Sequence, residues 1–336
     1  MKKRRFGRCD GRDVSEITLE STDAAVSILN YGCVLRDWRV DALGRSLPIT
    51  LGFGSFDAYD KHARSHGIVA GRVANRTAGG RFEREGRVYQ LTRNEGANHL
   101  HGGALGLGRR LWEMEGDTAT EAVILRYHSP DGEEGYPGAV DFTVTFRLDG
   151  TRLVVDMQGA PDRPTPINLA QHSYWNLGGG GDVLDHEVWI DAPEHTPVGP
   201  DLIPDGTIRS VEGTHLDFTE PRTIEGSDPD RIGLDNNLVL RADRERARPC
   251  VRVRCPRSGL KLELWTDEPG LQVFDAAQMT IAAPGHDGQA YGPYAGLCLE
   301  AQHFPDSLNN PDWPSIIRSQ EAQYLQKLVV EVSHDA

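Results

Sequence analysis

Glu300 follows an apolar run in G-L-C-L-E-A-Q-H-F-P-D, residues 296–306. If that run is a strand, side chains alternate, and Glu300 shares a face with Cys298, opposite Leu297 and Leu299. A carboxylate aimed into a cleft is a candidate proton acceptor, because carboxylates are seldom buried without a partner or a task. His172 stands in N-L-A-Q-H-S-Y-W-N-L-G-G-G-G, residues 168–181. With an ordinary pKa of about 6.5, an imidazole gives or takes a proton near neutrality. Beside it, Tyr174 and Trp175 would offer flat faces to the C–H side of a sugar, and Gly178 to Gly181 would let a loop approach closely. A core aromatic pair with a buried histidine is the equal alternative.

Asn75 and Arg76 precede a glycine pair in G-R-V-A-N-R-T-A-G-G, residues 71–80. Arginine presents a planar fork of donors suited to hydroxyls or a carboxylate; a solvated loop arginine is the other reading. His99 and His101, in N-H-L-H-G-G, would share a face of an extended segment. A metal site would want a third ligand close by, and none is present in sequence. The histidines therefore read as ligand hydrogen-bonding groups or as ordinary loop residues. Asp235, in G-L-D-N-N-L, is a second candidate carboxylate just before a strand-like run. The nucleophile elbow G-x-S-x-G, the phosphate loop G-x-x-x-x-G-K-[ST], a Rossmann glycine fingerprint and H-E-x-x-H are all missing from the sequence.

The elements that must position these residues are strands. In V-D-F-T-V-T-F-R-L, residues 140–148, apolar side chains fall on every second position, and Asp149-Gly150 then predicts a hairpin. Similar runs recur along the chain, punctuated by 37 Gly and 20 Pro. Helical periodicity is confined to short stretches near 56–63 and 314–323. The expectation is an all-β fold with few short helices, one large β-sandwich domain over residues 1–336, with two tandem sandwiches as the alternative.

A formal net charge of -14 disfavours nucleic acid as a partner and favours a neutral ligand unless a local basic pocket overrules it. Five cysteines, at 9, 33, 250, 255 and 298, are odd in number and irregular in spacing, which reads as reduced thiols. The basic opening M-K-K-R-R-F-G-R lacks the apolar run of an export signal, and no stretch approaches a membrane span. A cytoplasmic protein without a membrane partner is expected.

Eight segments in order resemble the aldose 1-epimerase (galactose mutarotase) family. They are V-S-I-L-N-Y-G-C, L-G-F-G-S-F-D-A-Y, G-R-V-A-N-R-T-A-G-G, N-H-L-H-G-G, H-S-Y-W-N-L, G-L-D-N-N-L, E-P-G-L-Q-V and C-L-E-A-Q-H-F-P-D. The resemblance implies the family's supersandwich with an open sugar cleft, a free monosaccharide as substrate, no cofactor and no metal. It implies Glu300 as general base and His172 as general acid, facing each other across the bound ring. Asn75, Arg76, His101, Asp235 and Gln272 would hold the sugar, with Tyr174 bordering it; a monomer or homodimer is expected. The chain departs from the family pattern at Ala170-Gln171, Asn236 and Tyr294, positions expected at the rim of the cleft. A glycoside hydrolase using Glu300 and Asp235, and a non-catalytic sugar-binding or regulatory protein, are the rival readings.

Overall fold

Val140–Asp149 alternates buried and exposed positions along its whole length, as its apolar period of two requires. It pairs with Arg152–Pro161 through a tight turn at Gly150, whose φ of 57° suits a residue without Cβ. The computed structural model, which describes residues 1–334, makes this hairpin the third and fourth strands of a nine-stranded antiparallel sheet. Next in that sheet come Tyr324–His334 and Leu260–Thr266, paired in register over most of their lengths. A five-stranded meander spans Lys2–Cys9 to Arg45–Pro48. A six-stranded sheet has the order Tyr174–Trp175, Leu297–Gln302, Gly270–Phe274, Asp235–Val239, Glu194–Thr196 and Arg209–Ser210.

Inner-face residues of all three sheets join one apolar core: Trp38 and Val40 from the meander, Phe142 and Phe146 from the large sheet, and Leu238, Leu271 and Leu299 from the six-stranded one. The result is a β-sandwich. Among the described residues the α-helices are two short ones, Phe56–Lys61 and Ile224–Ser227. The first fulfils the expectation near 56–63. The second expectation fails: residues 314–323 are not helical, and Ile317–Arg318 instead bridges Thr165–Pro166. The two large apolar side chains of that stretch, Ile316 and Ile317, are adjacent rather than three or four residues apart, so no apolar stripe sustains a helix. No helix among the described residues is long and apolar enough to cross a membrane.

Candidate active site

The register of the six-stranded sheet sorts its side chains. Asp235, Phe274, Cys298 and Tyr174 stand in one cross-strand row, and Asn237, Gln272 and Glu300 in the next but one. Directly opposed residues point to the same side, so both rows share a polar face. The row between them, Asn236, Val273 and Leu299, turns the other way, as does the pair Leu297 and Trp175. The alternation read around Glu300 is therefore realised. Its companion residues come from strands far apart in sequence.

Glu300 is only 2% exposed. Its Oε1 lies 3.5 Å from Nε2 of His172, while its Oε2 is buried without a protein partner. The two groups touch, so no sugar ring fits between them; the expectation that they face each other across the ring is corrected. His172 reaches this position because its flanking backbone is tied to Gly67 and Ile68, and Sγ of Cys298 lies 3.6 Å from its Nδ1. Tyr174 is buried with its ring stacked near those of His66 and His172, at centroid distances of 4.1 and 5.1 Å. It braces the imidazole. Trp175 does not border the cleft: it lies in the core, edge-on to Trp38 at 5.7 Å. The glycines after it do not line the cleft either. A Cβ on Gly179 would strike Leu47, and one on Gly180 would strike Gln289.

A second group of residues comes from two loops. Asn75 and His101 both have positive φ, 60° and 50°. The His101 N–H donates to the Asn75 carbonyl, and the Asn75 N–H donates to His101 Nδ1. Nδ1 of neutral His101 is thus an acceptor, which leaves the proton on Nε2. The His101 ring stands edge-on to His172 at 5.2 Å. His99, despite its i, i+2 spacing, goes elsewhere: it bonds Tyr136 and the Thr92 carbonyl. The positive φ of His101 breaks the extended geometry on which a shared face depends. Gly102 permits the sharp turn, since a Cβ there would meet the Gly71 carbonyl at 1.7 Å.

Arg76 is gripped by Glu95, whose two oxygens accept Nε and Nη2 at 2.7 Å each, and its Nη1 lies 3.8 Å from Asp235. Gln272 donates to Asp235 at 2.6 Å and keeps a buried, unpartnered Oε1. Asn75 Oδ1 accepts the Arg76 N–H. The structure thus brings Glu300, His172, His101, Asn75, Arg76, Asp235, Gln272 and Tyr174 into one region. Cys298 was legible as a face-mate of Glu300. Glu95, His66 and Phe274 carried no sequence signal, because each matters through a neighbour from another segment. Of the departures, Gln171 is structural, donating to the Gly67 carbonyl and accepting the Ser173 N–H. Asn236 lies on the strand face opposite Glu300, and Tyr294 packs under Arg231. Gln171 is thus spent on backbone groups, whereas Asn236 lines a cavity together with Asp235 and Phe274.

Burial dominates the electrostatics. It pushes the Glu300 carboxyl well above its usual range, with Asp235 adding repulsion and Arg76 opposing. It pulls His172 down to about 4, and His101 down well below the ordinary imidazole value, with His172 and Arg76 adding to the effect. Asp235 is raised by burial against the pull of Arg76 and Gln272. In the free pocket burial thus disfavours the charged form of the carboxyls and of the imidazoles alike.

His101, His172 and Glu300 offer ligand atoms within 4.8 Å of one another, which is metal-like spacing. A metal on His101 Nε2 would force the ring proton onto Nδ1, into the Asn75 N–H; the tautomer opposes ligation. The remote group Asp185, His186 and Cys255 has a similar obstacle, because His186 Nε2 accepts the Leu177 N–H and Nδ1 faces Asp185.

Residues 15–331 match the family model described as aldose 1-epimerase. The chain is 38% identical over 319 residues to galactose mutarotase from Mus musculus, covering 94% of this chain and 92% of the mouse protein. It is 31% identical over 315 residues to aldose 1-epimerase from Escherichia coli strain K12, covering 91% and 90%. Its structure superposes on a GalM/aldose epimerase homologue from C. elegans with a TM-score of 0.90 at 28% identity, over 96% of this chain and all of the other. Galactose 1-epimerase from Lactobacillus acidophilus matches with a TM-score of 0.86 at 25% identity, over 100% of this chain and 99% of that one.

Proposed function

The chain belongs to the aldose 1-epimerase family and is a carbohydrate isomerase that interconverts the α and β anomers of an aldose, and we propose that the buried contact between Glu300 and His172 carries the chemistry. Ring opening removes a proton from the anomeric hydroxyl and delivers one to the ring oxygen. Both oxygens are bonded to the same carbon, so a base and an acid in mutual contact reach both at once. Glu300 accepts the hydroxyl proton on its unpartnered Oε2. The bond between the anomeric carbon and the ring oxygen breaks, its electron pair stays on that oxygen, and His172 Nε2–H protonates it. The aldehyde carbon then rotates by half a turn. Closure reverses both transfers on its other face. Each positioned group contributes roughly 10²–10⁴-fold.

Arg76, pinned by Glu95, the Nε2–H of His101, the Asn75 amide, Asp235 and Gln272 hold the hydroxyls that do not react. Tyr174 positions His172. The carrying observation is the 3.5 Å contact between two groups buried away from water, with one carboxylate oxygen left free. The substrate is a free monosaccharide. The whole chain works as one unit, monomer or homodimer, without cofactor, nucleic acid or membrane. Five cysteines without disulfides support a cytoplasmic location.

The test is optical rotation or proton NMR of freshly dissolved α-anomers across a panel of aldoses. Approach to anomeric equilibrium faster than the spontaneous rate, for at least one aldose, is expected. No acceleration for any of them would overturn the proposal.

A further inference from the structure

His101 has a second neighbourhood. It also lines a cavity of about 420 Å³ together with Arg64, Arg93, Arg109, Ser65 and Ile68. Three arginines line it, in a chain of net charge -14. No carboxylate lines the cavity, and none of the three arginines forms an ion pair among the described residues. Elsewhere on this surface many arginines are paired, as Arg39 is with Asp37 and Asp287. Arg93 is anchored by Nε to the Gly79 carbonyl, and Arg109 by Nη1 to the Ala104 carbonyl. Arg109 Nε is buried without a partner. Glu134 stands behind Gly103, but both of its oxygens are taken by the N–H groups of Ala104 and Leu105.

We propose that this cavity is an anion subsite of the same cleft, built to take the carboxylate or phosphate carried by the exocyclic carbon of an acidic aldose. The inference rests on the roles proposed for Glu300 and His172. With the ring oxygen at His172, the exocyclic carbon is attached to the adjacent ring carbon. His101, 5.2 Å from His172, also lines this cavity, so a ring seated with its exocyclic carbon toward His101 carries that carbon's charge to the arginines. Guanidinium forks match carboxylate and phosphate oxygens, and hydrogen bonds to charged groups are the strong ones. The local charge thus overrules the neutral-ligand expectation drawn from the acidic chain as a whole.

The experiment measures binding by titration calorimetry and anomerisation by NMR, at low ionic strength, for galactose, galacturonate, glucose and glucose 6-phosphate. The wild type is compared with Arg64→Ala/Arg93→Ala, whose side chains are exposed and whose loss leaves the core intact. At least one acid should bind about tenfold tighter than its neutral parent. The double variant should erase that preference, and so should 0.5 M salt or thereabouts. A gain in the uronate arm assigns a carboxylate; a gain in the phosphate arm alone assigns a phosphate. Equal affinity for acid and parent, or a preference that survives in the variant, overturns the subsite. Failure to anomerise any aldose would sink the catalytic proposal instead, while the calorimetric arm would still decide the subsite.

Discussion

Replacing Glu300 separates its chemistry from its packing. Glu300→Gln keeps the shape of the side chain but cannot accept a proton. The loss expected for a missing general base is about 10²–10⁴-fold in kcat, or roughly 3–5 kcal/mol of transition-state stabilisation. Glu300→Asp keeps the carboxylate but withdraws it by one carbon–carbon bond, about 1.5 Å. The carboxylate would then stand farther from His172 than the present 3.5 Å, by about 1.5 Å at most, and out of line with the oxygen it serves. A misplacement of this size costs about 10²-fold. Stability should move the other way. Burial holds the Glu300 carboxyl well above its usual pKa, so at pH 7 the unfolded chain gains by ionising it and the folded chain does not. The glutamine variant should unfold at or above the wild-type temperature. The assay is the optical rotation of freshly dissolved substrate, corrected for spontaneous mutarotation, beside a thermal melt at the same pH. A Glu300→Gln enzyme within about threefold of the wild-type rate, far above the loss assigned to the base, would refute the assignment.

Protonation of the pair gives a pH profile. Below about 4 a second proton reaches His172, and at a pH well above the ordinary carboxylate range the last proton leaves Glu300. The rate should therefore fall on both limbs, and a single limb near 6.5 belonging to an ordinary imidazole would contradict it. Trp175→Phe should lower stability by roughly 1–3 kcal/mol while the folded enzyme keeps its rate, because Trp175 packs on Trp38; loss of rate without loss of stability would put the indole back in the cleft. His66, buried with Nε2 unpartnered, has its pKa lowered to about 3. Its stabilising contribution is present above the unfolded value near 6.5 and is lost as pH falls toward 3, at about 1.4 kcal/mol per pH unit. Between pH 7 and 5 a His66→Gln variant should consequently lose about 2 kcal/mol less than wild type in denaturant unfolding; identical losses would show that His66 is not the group titrating.

Local periodicity made the strands legible. Val140–Asp149 needs only its own alternation to be a half-buried strand, and Glu300 needs only Leu297 and Leu299 to be assigned a face. Residue type and setting also marked His172, Asn75, Arg76, His101 and Asp235 as candidates, and the family resemblance added Gln272 and the role proposed for each. What neither could give is the contact itself. Cys298 and His172 stand 126 residues apart and meet because Tyr174 pairs with Cys298 in the register of the sheet. That same register decides which aromatic supports the site: one position separates Tyr174 from Trp175, and the pleat sends the first to the histidine and the second to the core. Arg76 and Glu95 lie closer in sequence, 19 residues apart, yet their fork depends on a two-residue ladder between Arg76–Thr77 and His99–Leu100. The failed helix at 314–323 has the same origin, since its partner strand Thr165–Pro166 is remote.

The opposite displacements of the two groups proposed for catalysis follow from one cause and suit one cycle. Burial disfavours charge of either sign, so it favours a carboxylic acid beside a neutral imidazole over the ionised pair. Moving that proton from Glu300 to His172 yields carboxylate and imidazolium without changing the proton count. Ring opening begins from the charged arrangement and ends in the neutral one; ring closure runs back. The open-chain half of the cycle therefore coincides with the arrangement that the dry pocket prefers. Arg76 and Asp235 bias the exchange in opposite senses: the guanidinium favours ionised Glu300 and the aspartate resists it. Because Gln272 and Arg76 both bond Asp235, a sugar hydroxyl that competes for Asp235 also alters the field at Glu300. Substrate binding and proton position are thus coupled through side chains of a single sheet face. That coupling lets the exchange occur when the sugar is seated, with no proton drawn from solvent.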